Sequence, residues 1–181
     1  MNDAFVERLH AWHDFFMFTG TAAATLMGLV FVAVSLGGNT KPASVRTLHT
    51  FVTPIVLHFG HVLFLAAVLL VPSHRPLTLA LAVLALALVV LTRALTVLRG
   101  LLAHHRDDAI GRDKWMWNFV APFVASFAAT TAAVELSLGA PWALELLAGS
   151  SVLFLVTGVV NTWKLVIWIL EHRAPSATSD D

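Results

Sequence analysis

The sequence predicts an all-α membrane protein, a single-domain helical bundle with five membrane-spanning helices. Three observations predict this fold. Of the 181 residues, 58% are hydrophobic and only 12% are charged, whereas a soluble domain carries about 25% charged residues. Five segments are apolar over the ~20 residues that a helix needs to cross the hydrocarbon core of a bilayer. Short connections with Gly and Pro separate these segments, as is typical of turns between helices.

The predicted spans are Phe15–Leu36, Phe51–Val71, Leu77–Leu102, Trp115–Leu138 and Trp142–Leu170. They belong to one transmembrane domain, residues 1–174, followed by a tail at 175–181 that we expect to be disordered. Cytoplasmic loops of membrane proteins carry an excess of Lys and Arg. This rule predicts an N-terminus outside and a C-terminus in the cytoplasm, because seven basic residues then lie inside (Lys41, Arg46, Arg99, Arg106, Arg112, Lys114 and Arg173) and two outside (Arg8 and Arg75).

The composition argues against several classes of function. Eleven basic and eleven acidic residues cancel, so a nucleic-acid binder held by a basic surface is not expected. The chain has no cysteine, which excludes disulfides, thiolate metal sites and iron–sulfur clusters. The H-E-x-x-H, Walker and G-x-S-x-G motifs are absent from the sequence. We therefore expect a protein that is not an enzyme, holds no cofactor or metal and has the lipid bilayer as its partner.

The residues before the first span have an apolar pattern of their own. Phe5, Leu9 and Trp12 recur at helical spacing, which predicts a short helix lying in the membrane interface. His10, His13 and Asp14 lie on another side of that helix. An alternative interpretation is that these three hold a metal ion or a proton, together with further ligands from elsewhere in the chain.

The first span is dense in small residues. Gly20, Ala24 and Gly28 recur every four positions, and Thr21 and Thr25 repeat this spacing beside them. Helices in lipid associate through such faces, because small side chains let two backbones approach closely. The pattern predicts a packing face, either against another span of the same chain or between protomers of a homo-oligomer.

The second span carries two histidines in its apolar run. His58 and His61 are three residues apart, which on a helix is about 4.5 Å along the axis and close to one face. Thr53 and Pro54 are expected to be the N-cap and first residue of this helix. Ionisable side chains at membrane depth are costly, so they are candidates for a functional site.

Further polar residues lie within the fourth and fifth spans. Asn118, Ser126 and Thr130 fall on one face of the fourth, and Asn161 lies within the fifth. Together with the two histidines they predict a polar interior that suggests a path for ions or protons. In the alternative interpretation this interior is packing only, with both imidazoles neutral and hydrogen-bonded to backbone carbonyls or to these polar side chains.

Haem binding is a third interpretation of the histidines. Axial imidazole ligands come from two helices in the usual arrangement, but the other predicted spans have no histidine at mid-membrane depth. A haem-binding redox carrier would therefore need to hold the group between protomers or use an unusual second ligand.

Two stretches resemble a known group of proteins. The first is Phe18–Leu36, FTGTAAATLMGLVFVAVSL. The second lies around the start of the second span and comprises Thr50–Pro54 and Leu57–Gly60. The chain is similar there to small bacterial polytopic membrane proteins, some of which carry the label of modulators of the membrane protease FtsH. The resemblance covers about the first seventy residues and implies a multi-pass protein of the bacterial inner membrane. It also implies an alternative function, an accessory or regulatory subunit of another membrane complex such as a protease.

Overall fold

A computed structural model describes residues 2–36, 45–72, 76–103 and 116–171, and in these ranges the chain forms helices and no strands. The predicted all-α fold is confirmed. The six α-helices are α1 (Asn2–Ala11), α2 (His13–Leu36), α3 (Val45–Leu69), α4 (Pro76–Ala103), α5 (Ala121–Ser137) and α6 (Ala143–Glu171). Within the described ranges α2, α3, α4 and α6 are long and apolar enough to cross a membrane.

The fourth predicted span forms a shorter α-helix than the sequence suggested. α5 has 17 residues and follows directly on a π-helical turn at Met116–Val120. Val120 has helical dihedral angles, φ −67° and ψ −51°, so the backbone passes from the π turn into α5 without leaving the helical region. Pro122 in the first turn of α5 has no N–H for an intrahelical bond, and local π geometry is a common way for a membrane helix to accommodate this.

The turn after α5 is a Schellman motif. The N–H of Gly139 bonds the carbonyl of Leu136 at 3.2 Å, and the N–H of Ala140 bonds the carbonyl of Glu135 at 3.0 Å. Gly139 has a φ of 75°, in the left-handed region where a side chain is unfavourable. The glycine therefore ends α5 and lets the chain turn back into α6.

α3 begins earlier than the sequence suggested. It runs without interruption from Val45, so Pro54 lies inside the helix and not at its first position. The prediction that Thr53 caps this helix is therefore wrong. In a membrane helix an internal proline is tolerated because neighbouring groups compensate for the missing backbone hydrogen bond.

Four helices form the centre of the bundle. α3 packs against α4, α4 against α5, α5 against α6, and α6 against α3, and α2 lies outside this ring against α3 and α6. α3 therefore contacts three other long helices. Because of this position, side chains in its middle are enclosed by protein.

The N-terminal residues form a helix, as their spacing predicted. Phe5 on α1 is buried, and Leu9 and Trp12 pack against the same apolar residues of the bundle. The rings of Trp12, Phe15 and Phe16 form an aromatic group in which neighbouring centroids lie 5.2–6.1 Å apart. The apolar side of α1 is thus in contact with the ends of the longer helices.

Buried apolar side chains form two clusters along the bundle. The first apolar cluster contains Phe16, Leu65, Leu69, Leu79, Val83, Ala132, Leu136, Leu144 and Leu147, among others. The second apolar cluster contains Val30, Ile55, Phe59, Val62, Val90, Ala125, Phe154, Leu165 and Ile169, among others. α3, α4, α5 and α6 contribute to both, so each of these helices crosses from one cluster to the other.

Several predictions concern residues outside the described ranges. These are the tail at 175–181 and six of the nine basic residues behind the predicted orientation, namely Lys41, Arg75, Arg106, Arg112, Lys114 and Arg173. The N-out, C-in orientation therefore stays a prediction.

Candidate functional site

The two histidines of α3 are buried inside the bundle. Only 6% of His58 and 4% of His61 is exposed. Both imidazoles contact Phe154 of α6, whose ring centroid lies 5.5 Å from that of His58 and 4.7 Å from that of His61. The ring of Phe154 is itself completely buried. The sequence predicts that polar side chains of the fourth and fifth spans face the two histidines, and the side chain in ring contact with both is the apolar Phe154.

Three nitrogen atoms of these imidazoles have no hydrogen-bond partner among the residues that the structure describes. They are Nδ1 of His58 and both Nδ1 and Nε2 of His61. The backbone of Leu86 on α4 interacts with His61 but lies outside hydrogen-bond geometry. A buried polar atom without a partner costs about 1–3 kcal/mol, so such atoms in a folded protein call for a physical reason.

The hydroxyls that were predicted as partners bond within their own helix instead. Ser126 donates to the carbonyl of Pro122 at 2.7 Å, and Thr130 donates to the carbonyl of Ser126 at 2.8 Å. The predicted hydrogen bonds from the histidines to these two hydroxyls are absent, and this part of the packing interpretation is wrong. The physical reason is that a hydroxyl on a helix reaches the carbonyl four residues back more easily than a group on another helix.

The structure describes the side chain of only one of the two asparagines in the predicted polar interior. Asn161 is half-buried in α6. Asn118 lies in the π turn before α5, and its side chain is outside the described part of the structure. Their proposed contribution to a polar interior stays a prediction.

Three further buried polar residues lie on α6, and the sequence reasoning missed them. Ser150 and Ser151 both donate to the carbonyl of Leu147 at 2.8 Å, and Thr157 donates to the carbonyl of Leu153 at 2.7 Å. All three are almost inaccessible to solvent. A signal for them was present, because Ser150, Phe154, Thr157 and Asn161 recur at alternating steps of four and three, the spacing of one helix face.

Six buried polar side chains lie on α3, α5 and α6, and we call them the polar layer. On each of these helices the polar residues lie at or just beyond the position where residues of the first apolar cluster end and those of the second begin. Leu65 and Leu147 lie beyond one side of the layer, and Ile55 and Leu165 lie beyond the other. The polar layer consists of His58, His61, Ser126, Ser150, Ser151 and Thr157. Apolar side chains thus close it from both directions.

The predicted small-residue face of α2 is divided between interior and exterior. Gly20 is buried, and a Cβ atom placed on it would lie 2.6 Å from the Cβ of Ala66 on α3. Thr21, Ala24, Thr25 and Gly28 are exposed, and a Cβ on Gly28 would meet no atom within 4 Å. Within the protomer only Gly20 packs as predicted, and packing between protomers through the other four stays a prediction.

The other histidine and carboxylate side chains are weaker candidates for a metal or haem site. His13 and Asp14 form an exposed contact of 3.1 Å between Nδ1 and Oδ1. Among the described residues no group of three or more His, Cys, Asp or Glu side chains is placed to hold a metal ion. For haem, both buried imidazoles lie on one helix and the ring of Phe154 packs against both, so an approaching iron would have to displace that ring.

Comparison of the chain with protein-family models, with curated proteins and with solved structures gives no match.

Proposed function

We propose that this protein is a non-enzymatic, multi-pass protein of the bacterial inner membrane in which His58 and His61 form the central binding position of a path for protons or ions. The observation that carries the proposal is the set of three imidazole nitrogens without a hydrogen-bond partner. A packing role does not account for them, since apolar side chains of similar size would fill the same space without the cost of unpaired nitrogens.

Histidine is suited to proton transfer for a chemical reason. One ring nitrogen of a neutral imidazole accepts a proton while the other donates one. Among the described residues neither nitrogen of His61 has a partner in hydrogen-bond geometry, and Nδ1 of His58 adds a third such atom three residues away on the same helix. The pair thus provides a place where a proton or a small cation can be held inside an apolar bundle.

The apolar clusters on both sides of the polar layer indicate a closed state of the path. In this proposal, side chains such as Ile55 and Leu65 must move before water reaches the histidines from either side of the bundle. This arrangement favours a carrier or a gated path, in which the histidines face one side at a time, over an open pore.

The proposal includes five crossings of the membrane. The π turn and α5 together form a helical stretch of residues 116–137, whose 22 residues reach about 33 Å at 1.5 Å per residue. This stretch fits the hydrocarbon core as the four longer helices do. With five spans, the bias of basic residues favours an N-terminus outside and a C-terminus in the cytoplasm.

The test is proton and cation flux in proteoliposomes that contain the purified full-length chain. We expect the double variant His58→Ala, His61→Ala to lose the flux of the unchanged protein. The matched control is His10→Ala, His13→Ala, which removes two exposed imidazoles and should leave flux unchanged. Equal flux in the unchanged protein and the His58, His61 variant would rule out the proposed path.

A second candidate function, an accessory subunit of another membrane complex, is favoured by a different observation. Four of the five residues of the predicted small-residue face of α2 are exposed and leave room for a close helix partner. The resemblance to bacterial proteins labelled as modulators of FtsH supports the same candidate. Crosslinking in native membranes from a reactive residue at Gly28 would then yield one defined heterologous partner, whereas a crosslink to a second copy of the chain would favour a homo-oligomer.

A further inference from the structure

The contacts of Phe154 with both buried imidazoles suggest a specific role for this side chain. We infer that Phe154 controls the access of water to the His58–His61 pair, so that the ring must be displaced before either imidazole can exchange a proton. The inference rests on the proposed function and deepens it. Phe154 is a positioning residue in this scheme, because it acts by determining what can reach the two imidazoles.

The ring packs beside the imidazoles whose nitrogens a water molecule would bond. An internal water requires room and two to four polar partners. Partners are available, since three imidazole nitrogens are unpaired and the backbone of Leu86 approaches His61. Phe154 limits the room beside them, because its ring is completely buried with its centroid 4.7 Å from that of His61 and 5.5 Å from that of His58.

The backbone near Phe154 is held in place by a neighbouring contact. Gly158 follows Phe154 by one turn of α6, and the ring of Phe59 on α3 lies so close to it that any side chain at position 158 would overlap the ring. α3 and α6 are therefore in close contact at this level. Movement or removal of the Phe154 ring admits water more directly than separation of the two helices does.

The experiment measures solvent access to each imidazole without relying on transport. Hydrogen–deuterium exchange at the imidazole C2 position, read by mass spectrometry, resolves the histidines one by one in the full-length chain in detergent. His10 and His13 are exposed and serve as internal references. We expect His58 and His61 to exchange far more slowly than these two in the unchanged protein.

Removing the ring should open the site. Phe154→Ala leaves a cavity beside unpaired nitrogens, and we expect exchange at His58 and His61 to become about tenfold faster or more as water enters it. Phe154→Leu, which preserves more of the packing, should give a smaller acceleration. The control is Phe16→Ala, a truncation of an equally buried ring in the first apolar cluster, which should leave the two rates unchanged.

The outcomes separate the inference from the proposed function. Unchanged exchange in both Phe154 variants, or equal acceleration in Phe16→Ala, would overturn the control of water access by Phe154. Faster exchange without any flux in the unchanged protein would support the inference and reject the proposed path. If Phe154→Ala does not fold, the rates in Phe154→Leu decide the question.

Discussion

The ring of Phe59 on α3 lies against the backbone of Gly158 on α6, so that even a methyl group at position 158 would overlap it. This contact joins the helix that carries the histidines to the helix that carries Phe154. The two helices owe their close approach at the polar layer to the absence of a side chain at this one position.

Gly158→Ala should therefore destabilise the bundle. Overpacking of a buried contact costs about 1–3 kcal/mol, which exceeds the gain of up to about 1 kcal/mol that alanine gives over glycine in a helix. The measurement is the free energy of unfolding in mixed micelles as denaturing detergent is added. Gly28→Ala is the control, because a Cβ there meets no atom within 4 Å and stability should be unchanged or slightly higher. Equal effects of both substitutions would contradict the contact.

Gly20 and Ala66 should behave as a coupled pair. A Cβ on residue 20 would lie 2.6 Å from the Cβ of Ala66, so Gly20→Ala is expected to destabilise the packing of α2 on α3 by about 1–3 kcal/mol. Ala66→Gly in the same chain removes the opposing atom and should restore part of this loss. A double-mutant cycle on unfolding free energies measures the coupling. Additive effects of the two substitutions would show that the helices do not meet there.

Gly139→Ala should weaken the turn between α5 and α6. The residue has a φ of 75°, and a side chain in this conformation costs roughly 1–2 kcal/mol. Gly149→Ala provides the comparison, since residue 149 lies within α6 and a Cβ there meets nothing within 4 Å. We expect unfolding at a lower denaturant concentration for the first variant only. A stability unaffected by Gly139→Ala would argue against the Schellman motif.

His61→Leu should raise stability while it abolishes flux. Leucine is apolar and similar in size, so the substitution removes two unpaired buried nitrogens, each of which costs about 1–3 kcal/mol. His10→Leu, at an exposed position, should change stability by less than about 0.5 kcal/mol. Unfolding and proteoliposome flux are measured on the same preparations. A less stable His61→Leu protein would show that the imidazole has partners in the membrane.

Hydropathy predicted the helices of this protein well because lipid requires long apolar segments whose backbone bonds are internal. It predicted their ends less well. The preference of proline for the first turn of helices in water-soluble proteins predicts a helix start at Pro54, yet α3 continues through it from Val45. The predicted fourth span is longer than the 17 residues of α5, because apolar composition does not reveal where π geometry replaces α geometry.

The candidate site was predictable only in part. His58 and His61 were found because ionisable side chains are rare in apolar segments. Phe154 was not, since its place on the helix face of Ser150 and Thr157 does not show which side chains of other helices it contacts. Likewise, the spacing of Gly20 and Gly28 did not indicate that one would face α3 and the other the exterior.

Pro54 lies one turn before His58 on α3. Because proline has no N–H, the carbonyl of Thr50 lacks its donor within the helix, and α3 resists bending least at this turn. We therefore expect a force on the first residues of α3 to bend the helix locally at Pro54 and not to be transmitted to the imidazoles. The residues of α3 before Pro54 and those after it thus form two segments that can bend relative to each other, and only the second segment carries the histidines.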